Sequence, residues 1–415
     1  MPTQSVPAGM AVVEKAMAGR FAEIQDMFAP PLRPLASAET LQAAWTAEVD
    51  KHGPVSTVGT PVGEPDGTVK IPVTFEHGEL TVIVSVDDEG HLLGIQLAPA
   101  SAAAPMRPWE PPSYARPETF DEQDVTLGTG PLAVPGTLSV PREPRPCPAI
   151  LLLAGSGPHD RDETIGRNKP LKDLAWGLAS SGIAVLRFEK VTYAHGPQVA
   201  PMREFTVTDE YVPDALAGIA LLRAHPAVDP SRIFVLGHSL GGTVAPRVAA
   251  AEPSVAGLIM LAGGAQPLHW AAVRQVSYLA TPTGDTAAVE TLTRQAKLVD
   301  SPTLSPSTPD SELPFGVPAA YWMDLRDYRP AELAATLDRP ILLLQGGRDY
   351  QVTVADDLAI WRAGLADRPD TTIRVHDDDN HLLFAGSGPS TPAEYEPAQH
   401  VDPAIVTDIV DWLPE

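Results

Sequence analysis

Cysteine is nearly absent from this chain: Cys147 stands alone in 415 residues. One thiol makes no internal disulfide framework and no cysteine-based metal site, so the fold must rest on packing and hydrogen bonds. That suits a reducing compartment, and a cytoplasmic location is expected. Basic residues are also scarce, with 29 Lys and Arg against 53 Asp and Glu for a formal net charge of −24, and no Lys/Arg cluster interrupts the acidic excess. Nucleic acid and anionic membrane surfaces are therefore excluded as expected partners, and electrostatic steering of polyanionic substrates is not expected. Long apolar runs are missing as well. Nothing approaches the roughly 18 apolar residues that span a bilayer. Near the start, Ala11 to Val13 is too short for the apolar core of a leader, and Glu14, Lys15 and Arg20 follow it; no secretory leader is expected.

What is present divides the chain, and its length favours two domains over one core. Residues 10–28 and 37–51 carry apolar positions at helical spacing, with Val13, Met17, Phe21 and Ile24 on the first. From 55 to 98 the pattern becomes short alternating runs, starting at Val69, Leu80 and His91 and separated by Asp-Gly, His-Gly and Glu-Gly turns. Residues 1–98 thus predict a small α+β domain. Prolines crowd residues 99–117, which predicts a semi-rigid linker. Residues 118–415 predict a second domain, opening with a β-hairpin over 123–140. Strands and helices then alternate as in a doubly wound, mostly parallel sheet. Its candidate strands are Ala149–Leu153, Ala184–Phe188, Ile233–Leu236, Gly257–Leu261, Ile341–Leu344 and Thr372–Val375. Between the fourth and fifth, residues 265–335 have little strand character and predict a helical cap over the site.

The most informative segment is Arg232-Ile-Phe-Val-Leu-Gly-His-Ser-Leu-Gly-Gly-Thr, an apolar strand running into Gly-x-Ser-x-Gly and then a helix. A serine on such a turn is raised above the sheet edge in strained backbone, and Gly237 and Gly241 stand where a Cβ would collide with the turn. Ser239 is the candidate nucleophile. Its hydroxyl needs an imidazole to take its proton, and the imidazole needs a carboxylate. In the chain order Ser, acid, His, Asp349 follows the buried strand at 341–344, and His381 lies in the loop after the strand at 372–375. His376 and His400 are alternatives that match the expected loop less well. The run Asp377 to Asp379 reads as a solvated turn rather than a metal site.

Acyl transfer also needs donors for a developing oxyanion. The N–H of Leu240 is one candidate. The other comes from Ala154-Gly-Ser-Gly-Pro, with Ser156 preferred and Gly157 the alternative. Arg161 lies between Asp160 and Asp162, and the expected arrangement is a self-satisfied ion-pair network rather than a substrate anchor.

These residues resemble the α/β-hydrolase superfamily. More narrowly, Gly155-Ser-Gly-Pro-His-Asp-Arg-Asp-Glu-Thr-Ile-Gly, Asn168-Lys-Pro-Leu-Lys-Asp-Leu-Ala-Trp-Gly-Leu-Ala and Gly182-Ile-Ala-Val-Leu-Arg-Phe look like the bacterial EstD-type serine esterases, over about residues 110 to 415. The segment 10–98, with Gly90-His-Leu-Leu-Gly-Ile, is similar to a small domain of cystatin-like or nuclear-transport-factor-like shape that often precedes such hydrolases. The resemblance implies an α/β-hydrolase fold and a carboxylesterase acting on small or medium esters without cofactor or metal. It implies a triad of Ser239, Asp349 and His381, with oxyanion donors at Ser156 and Leu240. A thioesterase, lactonase or acyltransferase shares such a triad, and a non-catalytic ligand-binding fold is the alternative of another class. The expected partner is a small-molecule ester, and a homodimer is a candidate assembly. The resemblance is imperfect at the oxyanion loop, where Ala154-Gly155 stands in place of the His-Gly of lipases, and Pro246 is expected to bend the helix after the elbow.

Overall fold

The computed structural model describes residues 5–30, 32–33, 36–64, 67–87, 89–100, 109–142, 146–282, 284 and 286–414. The chain divides into two compact units, Met1–Arg107 and Pro108–Glu415. In the first, α1 (Ser5–Met17), α2 (Phe21–Met27) and α3 (Ala38–His52) precede β1 (Val55–Val58), β2 (Val62–Gly63), β3 (Thr68–Phe75), β4 (Gly78–Val86) and β5 (Leu92–Pro99). The strands pair antiparallel in the order β1-β3-β4-β5, with β2 also on β3. Period-two alternation decides the faces. Val69, Ile71, Val73 and Phe75 of β3 and Leu80, Val82, Val84 and Val86 of β4 share one core with Val12, Val13, Phe21 and Ile24 of the helices.

The helix expected over 10–28 is in fact two helices. Gly19 adopts a φ of 70°, and the amides of Ala18 and Gly19 bond back to the carbonyls of Glu14 and Ala16. Left-handed backbone at a glycine ends a helix where another residue would be strained. The apolar stripe continues across the break, so periodicity alone does not reveal it. The second expected helix, 37–51, is α3, and the Ser37 side chain accepts the Thr40 N–H at its start.

Residues 101–108 of the expected linker lie outside the described residues. The expected linker is too long at its start, since Pro99 is the last residue of β5. Residues 109–117 belong to the second unit, where Trp109 Nε1 donates to Asp173 at 2.8 Å, Tyr114 Oη to the Val401 carbonyl at 3.0 Å, and Arg116 to the Ser180 carbonyl at 2.6 Å. Prolines remove backbone donors but leave neighbouring side chains free to anchor the segment.

The second unit opens with the hairpin β6 (Phe120–Leu127) and β7 (Val134–Pro141), followed by β8 (Cys147–Leu153), α4 (Pro170–Ser180) and β9 (Ala184–Phe188). Two short helices, α5 (Val191–Ala194) and α6 (Gly196–Val199), lead to α7 (Val207–Ala224), β10 (Val228–His238), α8 (Leu240–Ala251) and β11 (Gly257–Leu261). Then come α9 (Leu268–Ala280), α10 (Ala287–Asp300), α11 (Ala319–Arg326) and α12 (Pro330–Ala335), and finally β12 (Ile341–Gly346), α13 (Ala359–Gly364), β13 (Thr371–His376) and α14 (Pro403–Trp412). The sheet order is β13-β12-β11-β10-β8-β9-β7-β6. It is parallel except where β7 meets β9 and β6.

Both faces of the inner strands β8, β9, β11 and β12 and of the second half of β10 are covered, so these read as continuous apolar runs, whereas the edge strands β6 and β13 do not. Leu151, Val235, Met260 and Leu343 face α7, α8 and α13, whereas Leu152, Leu236, Ile259 and Leu342 face α4 and α14. In the segment expected as a cap, Val299, Leu304, Leu313, Ala319 and Trp322 make a small core of their own. Its last helix, α12, departs from that reading: Ala331 and Ala334 pack into the core of the sheet. Helix α8 runs on through Pro246. No described helix is long and apolar enough to cross a membrane.

Helix α7 begins with a capping box in which Thr206 accepts the Asp209 N–H and Asp209 accepts the Thr206 N–H. Its first turn carries Glu210 and Tyr211 to the site described below. Thr206→Ala is expected to lower the unfolding free energy by about 1 kcal/mol, read by urea denaturation.

Candidate active site

Strand β10 ends at His238 and α8 begins at Leu240, which leaves Ser239 on the turn between them at φ 53° and ψ −120°. That conformation costs a non-glycine residue about 1–3 kcal/mol and persists only where neighbours over-determine it. Here the Ser239 N–H is bound to the Leu261 carbonyl at 2.9 Å, and its carbonyl accepts the Thr243 N–H at 3.0 Å. The glycines of the motif make room. A Cβ on Gly237 would lie 2.2 Å from the Gly241 carbonyl group, and one on Gly241 would lie 2.4 Å from the Leu153 carbonyl oxygen. Backbone thus packs on backbone where β8, β10 and α8 meet. As the first residue of α8, Leu240 has an N–H with no partner four residues back.

The structure brings Ser239, His381 and Asp349 together. His381 Nε2 lies 3.0 Å from Ser239 Oγ, and His381 Nδ1 lies 2.7 Å from Asp349 Oδ2. Asp349 Oδ1 accepts the N–H groups of Gln351 and Val352 at 2.7 and 2.9 Å, and Gln345 Nε2 donates to Oδ2 at 3.1 Å. The carboxylate is therefore held in one orientation. Gly346 and Gly347 let its loop lie against the histidine loop, since Cβ atoms there would come within 2.5 Å of the Asn380 oxygen and 2.6 Å of Asp377 Cα. The alternative histidines are engaged elsewhere, His376 with Asp408 at 3.0 Å and His400 with Asp173 at 3.1 Å.

The loop after β8 is fastened by buried polar groups that sequence reading missed. Gly155 N–H donates to Glu163 at 2.7 Å, while the Gly155 carbonyl accepts Lys190 Nζ at 2.9 Å and Tyr211 Oη at 2.7 Å. Lys190 is also paired with Glu210 at 3.1 Å. In a trans peptide the carbonyl and amide of one unit point opposite ways, so the Ser156 N–H is directed away from Lys190 and Tyr211. The Ser156 carbonyl in turn accepts His159 Nε2 at 2.7 Å.

Arg161 is satisfied, as expected, but not by its sequence neighbours. It reaches Glu189 at 2.9 Å and Asp124 at 3.2 Å, whereas Asp162 binds Lys169 and Arg187, each at 2.8 Å, and Asp160 accepts Thr164 Oγ1 at 2.6 Å. Consecutive side chains in this irregular loop diverge, so charges adjacent in sequence are not adjacent in space. Among the described residues, no group of three or more His, Cys, Asp or Glu is arranged to hold a metal ion.

A cavity of about 650 Å³ opens beside Ser239, with Ser156, Gly157 and Leu240 on its wall. Met202, Phe205, Leu268, Phe315, Tyr321 and Trp322 supply much of its apolar lining. Of the aromatics in the cap segment, Trp270 and Tyr278 point to other work: Trp270 donates to Asp300 at 2.7 Å, and Tyr278 to the Ser390 carbonyl at 2.9 Å.

The sequence pattern of the alpha/beta hydrolase family matches residues 150–398, a span that contains the elbow, the acid loop and the histidine loop. The chain belongs to that family. Esterase EstD of Thermotoga maritima is 40% identical to this hydrolase over 340 residues, which make up 82% of this chain and 77% of that protein. Among solved structures, Est1E from Butyrivibrio proteoclasticus aligns over 69% of this chain and 95% of its own, with TM-score 0.46 and 17% identity. An esterase of Pyrococcus furiosus aligns over 74% of this chain and 99% of its own, with TM-score 0.45 and 17% identity.

Asp379, two residues before His381, departs from the solvated turn expected over Asp377 to Asp379: it is 1% exposed. Burial, with the charges of Asp402 and Asp378 beside it, pushes its pKa up to about 7. With the folded pKa above the unfolded one, the stability Asp379 contributes is fully present below the ordinary aspartate range and is lost as pH rises through about 7. Asp379→Asn, a mimic of the protonated form, is expected to raise Tm at pH 8 and to change it little at pH 4, as scanning calorimetry at the two pH values would record.

Proposed function

We propose that this hydrolase is a serine carboxylesterase that cleaves small or medium esters through an acyl-enzyme on Ser239. The observation that carries the reading is the unbroken hydrogen-bonded line from Ser239 Oγ through the His381 ring to Asp349, at 3.0 and 2.7 Å. Ser239 Oγ attacks the ester carbonyl carbon while His381 Nε2 takes its proton. Asp349 holds the Nδ1–H tautomer and stabilises the imidazolium. The N–H groups of Leu240 and Ser156 receive the oxyanion. Collapse expels the alcohol, which takes the proton from His381, and water repeats the sequence to release the acid.

The choice of Ser156 over Gly157 is supported by the anchors on the preceding carbonyls. Lys190 and Tyr211, both buried, hold the peptide unit that carries the Ser156 N–H, whereas the Gly157 unit is tied to His159 at the surface. An oxyanion donor is effective in proportion to how little it reorganises during the reaction. The name of the Thermotoga maritima relative, Esterase EstD, supports the ester as substrate. So does the cavity, whose described lining contains no Lys, Arg or His to meet the phosphates of a nucleotide-bearing thioester, on a chain whose net charge of −24 already opposes polyanions.

Ser239→Ala is expected to reduce p-nitrophenyl butyrate hydrolysis on the order of 10⁶-fold with Tm preserved. Activity within about tenfold of wild type would remove Ser239 from the mechanism. For the cavity wall, Phe315→Ala and Tyr321→Ala are expected to shift the preferred acyl length in a p-nitrophenyl ester series, since a methylene fitting an apolar pocket is worth roughly 1–3 kcal/mol. Trp270→Ala, outside that lining, is expected to lower Tm and leave the preference unchanged.

A further inference from the structure

Between the nucleophile turn, the loop after β8 and the histidine loop lies a buried pair that the steps above do not use. Glu163 is 1% exposed and His238 5%. His238 Nδ1 lies 3.0 Å from both Glu163 carboxylate oxygens, and His238 Nε2 lies 2.9 Å from the backbone carbonyl of His381. With Glu163 ionised, its oxygens and the His381 carbonyl only accept, so both ring nitrogens donate and His238 carries the imidazolium charge.

The surrounding charges support that state. Burial alone would drive the ring toward neutrality, but the Glu163 carboxylate, the His381 carbonyl and the charge of Asp349 outweigh it and hold the His238 pKa above the ordinary value. Burial likewise disfavours the Glu163 charge, yet His238, His159 and the Gly155 N–H bring its pKa below the usual carboxylate range. Lys190, with Glu210, and Tyr211 face the pair from the Glu163 side, and the His381 ring lies 4.9 Å from the His238 ring on the other.

Two further features show how tightly the pair is fitted. Glu163 adopts a φ of 53°, a left-handed conformation that a glutamate takes only under constraint. A Cβ on Gly155 would lie 2.8 Å from Glu163 Oε1, so the loop closes on the carboxylate only because residue 155 is a glycine. One carboxylate therefore holds the Gly155 N–H directly and the His381 carbonyl through a single ring.

Resting on the reading of Ser239 and His381 above, we propose that Glu163 and His238 form a positioning ion pair, fixing the catalytic histidine relative to the oxyanion loop. Neither touches substrate. His238 sets the height of the His381 backbone, Glu163 sets the Gly155 peptide, and their mutual bond makes the two settings one. A neutral His238 can keep only one of its two hydrogen bonds. Esterase activity is therefore expected to fall on an alkaline limb as His238 loses its proton.

The test compares wild type, Glu163→Gln and His238→Asn by kcat and KM across pH, with active sites counted from the p-nitrophenol burst so that misfolded molecules are discounted. Glu163→Gln keeps an oxygen for the Gly155 N–H but removes the charge. It is expected to lower kcat on the order of 10²-fold with KM within about twofold, as for a small misplacement of catalytic groups. It should also move the alkaline limb to lower pH by about one unit or more. His238→Asn is expected to lower kcat at every pH and to abolish the limb. An active wild type whose Glu163→Gln variant keeps kcat and the limb, losing only Tm, would overturn the positioning role alone. A wild type with neither burst nor turnover would overturn the Ser239 reading, and the positioning role with it.

Discussion

The site depends on how closely three pieces of main chain approach one another. The end of β10, the start of α8 and the end of β8 meet where Gly237 and Gly241 leave no room for a Cβ: the hypothetical carbons fall 2.2 and 2.4 Å from backbone atoms. Neither glycine is needed there for positive φ; what matters is the missing side chain. Because that contact is made, Ser239 is forced to φ 53°, and Leu240, the first residue of α8, shares one cavity wall with Ser156 and Gly157 of the loop after β8. A helix N-terminus supplies an unpaired donor and a favourable dipole for negative charge. Fold and chemistry are thus coupled at one packing contact.

The same device recurs at the other half of the site. Gly346 and Gly347 allow the loop after β12 to lie on the backbone of residues 377–380, which is what brings a carboxylate from one strand within 2.7 Å of an imidazole from the next. β12 and β13 are adjacent and parallel, paired from Ile341–Thr371 to Gly346–His376. Loops leaving the same edge of neighbouring parallel strands start close together, and this is the general reason that open α/β sheets carry their sites at that edge. The cap segment contributes differently, packing Trp322 into its own core while presenting it to the cavity. Shape at the substrate end is thereby set partly by a layer with its own core and partly by Leu325, which belongs to the core of the sheet.

Much of this was legible in the sequence because it is encoded locally. Gly-x-Ser-x-Gly between an apolar strand and a helix announces its own geometry, Asp349 closely follows the buried strand β12, and His381 closely follows the edge strand β13. What was not legible is encoded in pairings over distance. Glu163 stands in a run of charged residues that divide between near partners, as Asp160 with Thr164, and distant ones, as Arg161 with Glu189, and His238 occupies a position of the pentapeptide that the motif leaves open. Their contact joins residues 75 apart, and no periodicity or spacing rule connects them. Lys190, Glu210 and Tyr211 escaped for the same reason. The break at Gly19 was hidden in another way, because the apolar stripe continues through it and a stripe reports which face is buried, not whether the helix is continuous. Proline content, likewise, excluded regular structure from 99–117, which holds over 109–116 but fails at Pro99, the end of β5, and at Pro117, the start of a 3₁₀ turn, and it said nothing of the three side-chain anchors of the segment.

The buried ion pairs deserve a physical reason, since they are poor stabilisers. Removing two charges from water costs several kcal/mol per ion, and an apolar replacement of similar volume is often neutral or better. Around the loop after β8 this protein nevertheless buries Glu163 with His238 and Lys190 with Glu210. Apolar contacts are non-directional and tolerate small slides, whereas charge-assisted hydrogen bonds are short, strong and angle-dependent. The groups held by these charges are the amide and carbonyl of Gly155 and the carbonyl of His381, main-chain atoms of the loop after β8 and of the histidine that meets Ser239 Oγ. Preorganised donors act without reorganising when charge develops, and an error of an ångström in their placement costs far more in rate than a weak ion pair costs in stability. Burying charge there exchanges stability that the two extensive cores of the sheet can spare for orientation that they cannot supply.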